Sequence, residues 1–404
     1  MSVTLADVRF IVDSLRLDSP SVEPPSDLDW PALIDHADAH SLTPLLWGVW
    51  AGREWASRIP PESRERMERA LRDNEVRQGA VKADLLEIDS LLNNVGVPRI
   101  VLKGYPLAER LYADPAHRVI YDHDLLVPID VAETGYRALL AAGFSRLPAK
   151  DAWVQKHLPS VWRNDDYRWD GYLFDPNYPR PVELHVRLWE ANWRGLRVGD
   201  LPDVWADAQT RTVAGREMMV LSDEDAIVHL AMHFSVHLVE REARLNQLLD
   251  LARFVAQPVE VKWERILSKA SAANASRFVY APLFLAHKIF ASPLPPADVR
   301  GRLQSETPNA LQAWLAEHGV EEVLTSNYRR RSKGKDYQLT FLAARSMRER
   351  LGIVRFAALP PLEQLMMKYN VSHRWLAALM YPRFIVDRLA SYGRGTIAAE
   401  NSES

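Results

Sequence analysis

Apolar residues recur at helical spacing through the first quarter of the chain. The spacing predicts one helix near residues 5–15, a second over 30–50 and a long charged helix over 61–94. A loop rich in Pro, Ser and Asp over 19–29 separates the first two helices. We therefore expect residues 1–95 to form an N-terminal helical region.

The apolar period then changes to that of β-strands. Residues 99–103, 119–127 and 181–189 are short apolar runs rich in Val, Ile and Leu, which is typical of buried strands. We expect a short helix after Gly104 and a second helix capped by Asp130. Beyond these strands the spacing is again mostly helical. The pattern predicts an α+β chain with a small core flanked by helices on both sides.

Two of the predicted strands carry acidic side chains among apolar ones. Side chains two residues apart on a strand point the same way, so Asp122 and Asp124 share a face about 7 Å apart. On the strand 181–189, Glu183 and His185 share a polar face, opposite an apolar one. Adjacent carboxylates repel each other, and a divalent cation with oxygen ligands relieves that repulsion.

If these two strands are neighbours, Glu183 completes a cluster of three carboxylates with Asp122 and Asp124. Such a cluster can hold two Mg²⁺ ions about 3.5–4 Å apart, and Mn²⁺ is an alternative ion. A pair of aspartates in this spacing also occurs at solvated strand edges and caps. The β context and the later Glu-x-His strand favour the metal site.

Lys103 and Gly104 stand where a predicted buried strand turns into a helix. Free backbone N–H groups favour an anion at such a turn, and glycine permits close approach. Arg118 precedes Asp122 by four residues, and its guanidinium suits phosphate oxygens. The alternatives are a solvent-exposed lysine and a surface ion pair.

Composition excludes several classes of site. The 404 residues carry a net charge of -3 and contain no cysteine, which excludes disulfides, thiolate metal sites and cysteine nucleophiles. No apolar run reaches about 18 residues and the first residues do not resemble a signal peptide. We expect a cytoplasmic protein without membrane association, for which nucleic acid is not the main partner.

Three weaker patterns remain open. His229, His233 and His237 recur on one helix face. This fits a wall of the acceptor or nucleotide cleft, with His233 and Asp250 nearest it, better than a zinc site, and histidines satisfied in a packing interface are the remaining alternative. Residues 328–335 form a basic run that could attract a polyanion but is more often a solvated loop. Aromatic residues between 153 and 178 could wall a pocket or simply pack in the core.

Several stretches together resemble the nucleotidyltransferase superfamily of the DNA polymerase β type. More closely, residues 65–300 resemble its bacterial branch of uncharacterised nucleotidyltransferases. The matching stretches are IVLKGYPLAERLY, RVIYDHDLLV, VELHVRLW, EDAIVHLAMHFSVHL and LNQLLDLARF. The resemblance implies a mixed β-sheet with helices, and metal-dependent transfer of a nucleoside monophosphate from a nucleoside triphosphate to an acceptor.

The resemblance also implies roles for single residues. Asp122, Asp124 and Glu183 become the catalytic metal ligands, with Glu183 a candidate base. Lys103 and Gly104 become the phosphate turn. From the residues themselves we add Arg118 and His185 as nucleotide-binding candidates. The superfamily usually has Gly-Ser at the turn, whereas Tyr105 follows Gly104 here, so Lys103 would replace the serine contact.

The expected function is transfer of a nucleotide, with AMP as the first candidate, to a small-molecule, peptide or protein acceptor. The alternatives are a catalytically retired nucleotide- or protein-binding module and a toxin-like enzyme that modifies RNA. The predicted regions are the helical 1–95, the nucleotidyltransferase core 96–198, a helical cleft domain 199–300, a C-terminal helical region 301–392 and a disordered tail 393–404. Oligomeric state is not predicted.

Overall fold

The computed structural model describes residues 5–18, 22–147, 156–163, 166–240, 242–319 and 337–400. Its centre is a mixed seven-stranded sheet, accompanied by a separate two-stranded hairpin of β6 and β7. The strands are β1 (Ile100–Val101), β2 (His123–Leu126), β3 (Ser145–Arg146), β4 (Val161–Trp162), β5 (Val182–His185), β6 (Asn192–Trp193), β7 (Leu196–Arg197), β8 (Gln209–Val213) and β9 (Arg216–Val220). The sheet order is β3-β4-β5-β2-β1-β9-β8. The predicted α+β fold with helical regions at both ends is confirmed.

Helices precede, interrupt and follow the strands in the described part of the chain. Those before the sheet are α1 (Leu5–Asp13), α2 (Trp30–Ala39), α3 (Thr43–Trp50) and α4 (Pro61–Asn94), and those between strands are α5 (Tyr105–Leu111), α6 (Ala132–Ala141) and α7 (Val204–Asp207). The helices that follow are α8 (Asp223–Glu240), α9 (Leu245–Val255), α10 (Trp263–Ala272), α11 (Ser276–Phe290), α12 (Ala297–Ser305), α13 (Asn309–Glu317), α14 (Gln338–Ala343), α15 (Met347–Ala358), α16 (Leu362–Tyr369), α17 (Arg374–Leu379) and α18 (Tyr381–Glu400).

Two local expectations were wrong. The helix predicted over 30–50 is two helices, α2 and α3, because Ser41 between them adopts a left-handed backbone with φ of 55°. Asp130 does not cap α6: the Val131 N–H bonds to the Pro128 carbonyl, so the helix starts at Ala132 without a side-chain cap.

The described chain after β7 is mostly helical, as expected, but it also contains two strands that the sequence analysis missed. There β8 and β9 form a hairpin whose two turn residues, Ala214 and Gly215, both have positive φ. The parallel pairing of β9 with β1 joins this hairpin to the main sheet. The polar alternation of β8 concealed the strand from a search for apolar runs.

The final helix, α18, continues to Glu400. Most of the tail that was predicted to be disordered over 393–404 is therefore helical, and 401–404 lie outside the described residues. The division of the chain into regions otherwise stays a prediction. None of the helices in the described residues is both long enough and apolar enough to cross a membrane.

Buried polar side chains of α4 hold the segment that leads into β2. They donate hydrogen bonds to backbone carbonyls that no strand pairs, which is the requirement for burying such groups. This is why the strand predicted from residue 119 begins its ladder only at His123. The bonds run from Asn74 to the Ala116 carbonyl (2.5 Å), from Arg77 to the Ile120 carbonyl (2.9 Å) and from Gln78 to the Arg118 carbonyl.

The apolar face of α4 covers the sheet. Ile88 is fully buried, in a cluster that includes Val182 and Leu184 of β5. We expect Ile88→Ala to lower the free energy of unfolding by about 2–5 kcal/mol, because it removes buried methyl groups and leaves a cavity. Val76→Ala on the same helix is the matched control, since Val76 is 64% exposed. Denaturant unfolding followed by circular dichroism measures both; equal effects would contradict this packing.

Candidate functional site

The carboxylates of two neighbouring strands meet because β2 and β5 pair in parallel. Asp124 lies opposite Glu183 in the register, and Leu126 lies opposite His185. Side chains of directly paired residues project from the same face of a sheet. Asp122, two residues before Asp124, precedes the first strand residue and faces the same way, since both aspartates contact one lysine.

That lysine is Lys103, which follows β1. Its Nζ lies 3.1 Å from both carboxylate oxygens of Asp122 and 2.6 Å from Oδ2 of Asp124. Burial lowers the pKa of Lys103, but the charges of Asp122 and Asp124 outweigh burial and raise it above its ordinary value. Lys103 is therefore a fixed cation that neutralises part of the acidic cluster.

His185 joins the other side of the cluster. Its Nε2 lies 2.9 Å from Oδ1 of Asp124 and 3.3 Å from Oε2 of Glu183. Burial opposes charge on His185, but these two carboxylates raise its pKa. The sequence assigned His185 to nucleotide binding, and the structure places it among the carboxylates.

The three carboxyl groups differ in their affinity for a proton. Burial and the charge of Asp124 raise the pKa of Asp122. Burial also acts on Asp124, but Lys103 and the hydrogen bond from His185 hold its pKa well below the ordinary value. The pKa of Glu183 falls to about 2, because the hydrogen bond from His185 and nearby positive groups outweigh burial. Asp124 and Glu183 are thus anionic at neutral pH.

Sequence reasoning missed His157, a second histidine beside Glu183. His157 Nε2 lies 3.4 Å from Oε2 of Glu183, and an isolated bridge pairs His157 with His185. Its Nδ1 lies 2.6 Å from the Leu158 carbonyl, so Nδ1 carries the hydrogen and Nε2 presents a lone pair to Glu183. Burial lowers the pKa of His157. No strand pattern flagged it, because it lies in an irregular segment that only tertiary pairing brings to β5.

Two groups of side chains in the described residues have the spacing of cation ligands, and one of them lies in this cluster. Asp124, Glu183 and His185 each offer a ligand atom, and these atoms lie within 4.8 Å of one another. Carboxylate oxygens suit Mg²⁺ and Mn²⁺, and an imidazole ligand favours the transition metals. The sequence had placed Asp122 in the ligand set; in the described residues Asp122 instead sits across Lys103 from this group.

The turn at Gly104 has the backbone that the sequence suggested. Gly104 has φ of 83° and ψ of -123°, a backbone conformation that residues other than glycine rarely adopt. Helix α5 begins at the next residue. The nearest atoms to a Cβ built there would be 3.7 Å away, so the backbone, not space, requires glycine.

Arg118 is held within the protein near this turn. Its guanidinium forms a bidentate pair with Asp250 of α9, with Nη2 2.7 Å from Oδ2, and Nη1 donates to the Gly104 carbonyl at 3.3 Å. Tyr112 also donates to Asp250 at 2.7 Å. The sequence predicted phosphate contacts for Arg118 and acceptor contacts for Asp250. In the structure these two side chains form an ion pair with each other, and Arg118 supports the Gly104 turn.

Two cavities of about 440 Å³ each meet at Lys103, His233 and His237. The first, which we name the Gly104 cavity, reaches Gly104 and Asp122. The aromatic residues Tyr121, Trp169 and Tyr178 and the basic residue Arg244 also line it. The second, the Trp193 cavity, reaches Asp124 and His185 and is walled by residues of β6, α8 and α15, including Trp193, Met232 and Phe356.

The histidines of α8 line these cavities in neutral form. Burial, with nearby cationic groups, lowers the pKa of His229 and His237 to about 3 and that of His233 well below its ordinary value. Within the described chain these three histidines do not form a metal-ligand group with one another. His233 lines both cavities, as expected for a cleft wall.

Two further sequence features lie wholly or partly outside the described residues. The basic run 328–335 is outside them, as is Trp153. Of the aromatic cluster, Trp169 and Tyr178 line the Gly104 cavity, whereas Tyr172 packs on Phe174.

We compared the chain with curated proteins, solved structures and protein-family models to identify its family. Neither the comparison with curated proteins nor that with solved structures found a match. A family model described as uncharacterised nucleotidyltransferase matches residues 26–291, more than half of the chain and including every residue of the cluster. The chain therefore belongs to this family of uncharacterised nucleotidyltransferases.

Proposed function

We propose that the chain is a divalent-metal-dependent enzyme that transfers a nucleoside monophosphate, with AMP as the first candidate, from a nucleoside triphosphate to an acceptor. The acceptor is a small molecule, peptide or protein. The observation that carries this proposal is the register of β2 and β5, which pairs Asp124 with Glu183 beside Lys103 and His185. Lys103 lies where two cavities of substrate size meet, and Asp124 and His185 line one of these cavities.

Asp124, Glu183 and His185 would hold the cation, Mg²⁺ or Mn²⁺, with Asp122 available if Lys103 moves. When bound, such an ion supplies charge stabilisation for the reacting phosphate. Lys103 lies at the junction of both cavities, so its ammonium can contact a phosphate oxygen there. The rings of Tyr178 and Trp169 in the Gly104 cavity offer stacking surfaces for a base.

The bond changes are those of a displacement at phosphorus. An acceptor oxygen forms a bond to the α-phosphorus, the bond from that phosphorus to the bridging oxygen breaks, and pyrophosphate leaves with the electron pair. The proton of the acceptor passes to Glu183, our candidate base. The lone pair of His157 Nε2, 3.4 Å away, provides a second site for that proton and compensates for the low basicity of Glu183.

A second candidate is a retired module that binds nucleotide without turnover. One observation favours it: Lys103 already neutralises Asp122 and Asp124 without any metal ion. RNA as the acceptor has no support from the described residues. The experiments below separate the two candidates.

Mg²⁺ with a nucleoside triphosphate should stabilise the protein against heat, because binding to the folded state alone raises the melting temperature. Asp124→Asn should abolish this stabilisation, whereas the exposed Asp130→Asn should keep it. A thermal-shift series with each triphosphate, with and without Mg²⁺, measures the effect. Pyrophosphate release with candidate acceptors then distinguishes the enzyme from the retired module. Equal shifts in both variants would contradict the assignment of Asp124.

Lys103→Gln should make the protein less stable without metal, because Asp122 and the buried Asp124 then repel each other without a counter-charge. Mg²⁺ should restore more stability to this variant than to the wild type, since the ion relieves the same repulsion. Melting temperatures over a Mg²⁺ titration measure this difference. A Mg²⁺ response no larger than that of the wild type would show that the aspartates do not share the cation site.

Breaking the pair of Arg118 and Asp250 should be costly, since each single variant leaves a buried charge without its partner. We expect Arg118→Gln and Asp250→Asn each to lose about 3–5 kcal/mol of stability, and the double variant to lose less than their sum. Triphosphate affinity should also fall, because Arg118 no longer holds the Gly104 carbonyl. Denaturant unfolding and thermal shift measure these two effects; additive losses would exclude the coupling.

A further inference from the structure

The two cavities reach different residues of the acidic cluster, so they can hold the two reactants. The Gly104 cavity contains the glycine turn, Asp122 and the stacking rings, which suits a triphosphate and its base. The Trp193 cavity contains neither the turn nor those rings and reaches Asp124 and His185. If the triphosphate takes the first cavity, the second remains for the acceptor.

The walls of the Trp193 cavity are mostly apolar. Three parts of the chain build them: the segment around β6, one face of α8 and the C-terminal region beyond residue 337. Apolar walls exclude water and favour an acceptor whose body is itself apolar. The principal wall residues are Leu188, Trp193, Met232, Val236, Tyr337 and Phe356.

Several buried polar atoms in this cavity have no hydrogen-bond partner among the described residues, including Trp193 Nε1, His237 Nδ1 and both ring nitrogens of His229. His229 is only 4% exposed, and neither ring nitrogen forms a hydrogen bond there. A neutral imidazole carries one donor and one acceptor, and leaving both unpaired in the interior is costly. A ligand group with a hydrogen-bonding atom would satisfy it.

The charged side chains along the Trp193 cavity differ in how they are paired. Glu190 accepts a hydrogen bond from the Lys156 backbone N–H at 3.1 Å. Arg194 pairs with Glu240 at 3.3 Å, and Asp124 is neutralised by Lys103 and His185. Lys156 lines the cavity, and its ammonium group forms no ion pair or hydrogen bond within the described residues. An unpaired ammonium beside apolar walls favours an anionic ligand group.

We propose that the Trp193 cavity is the acceptor site and that it takes a compact molecule, or a chain end, with an apolar ring-containing body and one negative charge. The proposal rests on the proposed function. In this arrangement the anionic group meets Lys156, the apolar body lies against Trp193 and Val236, and the nucleophilic oxygen points toward Asp124 and Glu183.

Anilinonaphthalene sulfonate is a suitable probe, since it combines an aromatic body with one negative charge and fluoresces when bound in apolar surroundings. We expect Val236→Trp on the full chain to weaken its binding about tenfold or more, because the larger ring fills the cavity. The matched control is Val76→Trp, which places the same ring on an exposed surface of α4. If Val236→Trp does not fold, Val236→Phe provides a smaller obstruction.

The charge is tested with the uncharged analogue, anilinonaphthalene. Lys156→Gln should weaken binding of the sulfonate about tenfold and leave binding of the neutral analogue unchanged, whereas Lys156→Arg should retain both. Equal losses for both probes would overturn the role assigned to Lys156.

The thermal shift produced by Mg²⁺ with nucleoside triphosphate then distinguishes failure of this acceptor-site proposal from failure of the proposed nucleotidyltransferase function. The Val236→Trp variant should keep the triphosphate-dependent thermal shift while it loses the probe. Loss of the triphosphate shift together with the probe, or displacement of the probe by triphosphate, would overturn the proposal by placing the nucleotide in this cavity. Unchanged probe binding in Val236→Trp would overturn it by placing the probe elsewhere. Absence of any triphosphate shift in the wild type would count against the proposed function itself.

Discussion

The parallel pairing of β2 with β5 is the constraint on which the rest of the site depends. It sets Asp124 against Glu183, although 58 intervening residues separate them in the sequence. A shift of the register by one residue would turn one of these carboxylates to the opposite face of the sheet. Burial of Val182 and Leu184 on that opposite face resists such a shift, so the apolar core and the acidic cluster fix each other.

Electrostatic compensation makes the cluster tolerable inside the protein. Three carboxylates and an imidazole are brought together with only partial access to water, and Lys103 supplies the nearest positive charge. The same contacts that make Asp124 and Glu183 strongly acidic keep them available as ligands at neutral pH. A cation that entered this cluster would have to compete with Lys103 for the aspartates.

The helices around the sheet do more than cover it. Polar residues of α4 hold the carbonyls before β2 and so place Asp122, while α9 provides the Asp250 that anchors Arg118 against the Gly104 turn. The α8 face and the C-terminal helices wall a second cavity, which reaches Asp124 and His185. The strands thus position the carboxylates of the cluster, and the helices form the walls of the cavities that lead to them.

Local sequence was sufficient for much of this arrangement. The strand period around Asp122 and Glu183, the glycine turn and the long helix α4 follow from patterns within a few residues, where side-chain spacing reports backbone geometry directly. The same motifs predicted the family and the α+β fold, and both are confirmed.

Only the tertiary structure determined which side chains form ion pairs and hydrogen bonds with the predicted site residues. The sequence predicted that Arg118 binds phosphate, but in the structure its guanidinium pairs with Asp250, which is 132 residues away in the sequence. Likewise, His157 gained its place beside Glu183 by packing, and Lys103 bridged two aspartates that the sequence had assigned to a metal. Sequence spacing determines which way a side chain points from its own strand or helix. Which distant group compensates its charge depends on how those elements pack, and no local pattern contains that information.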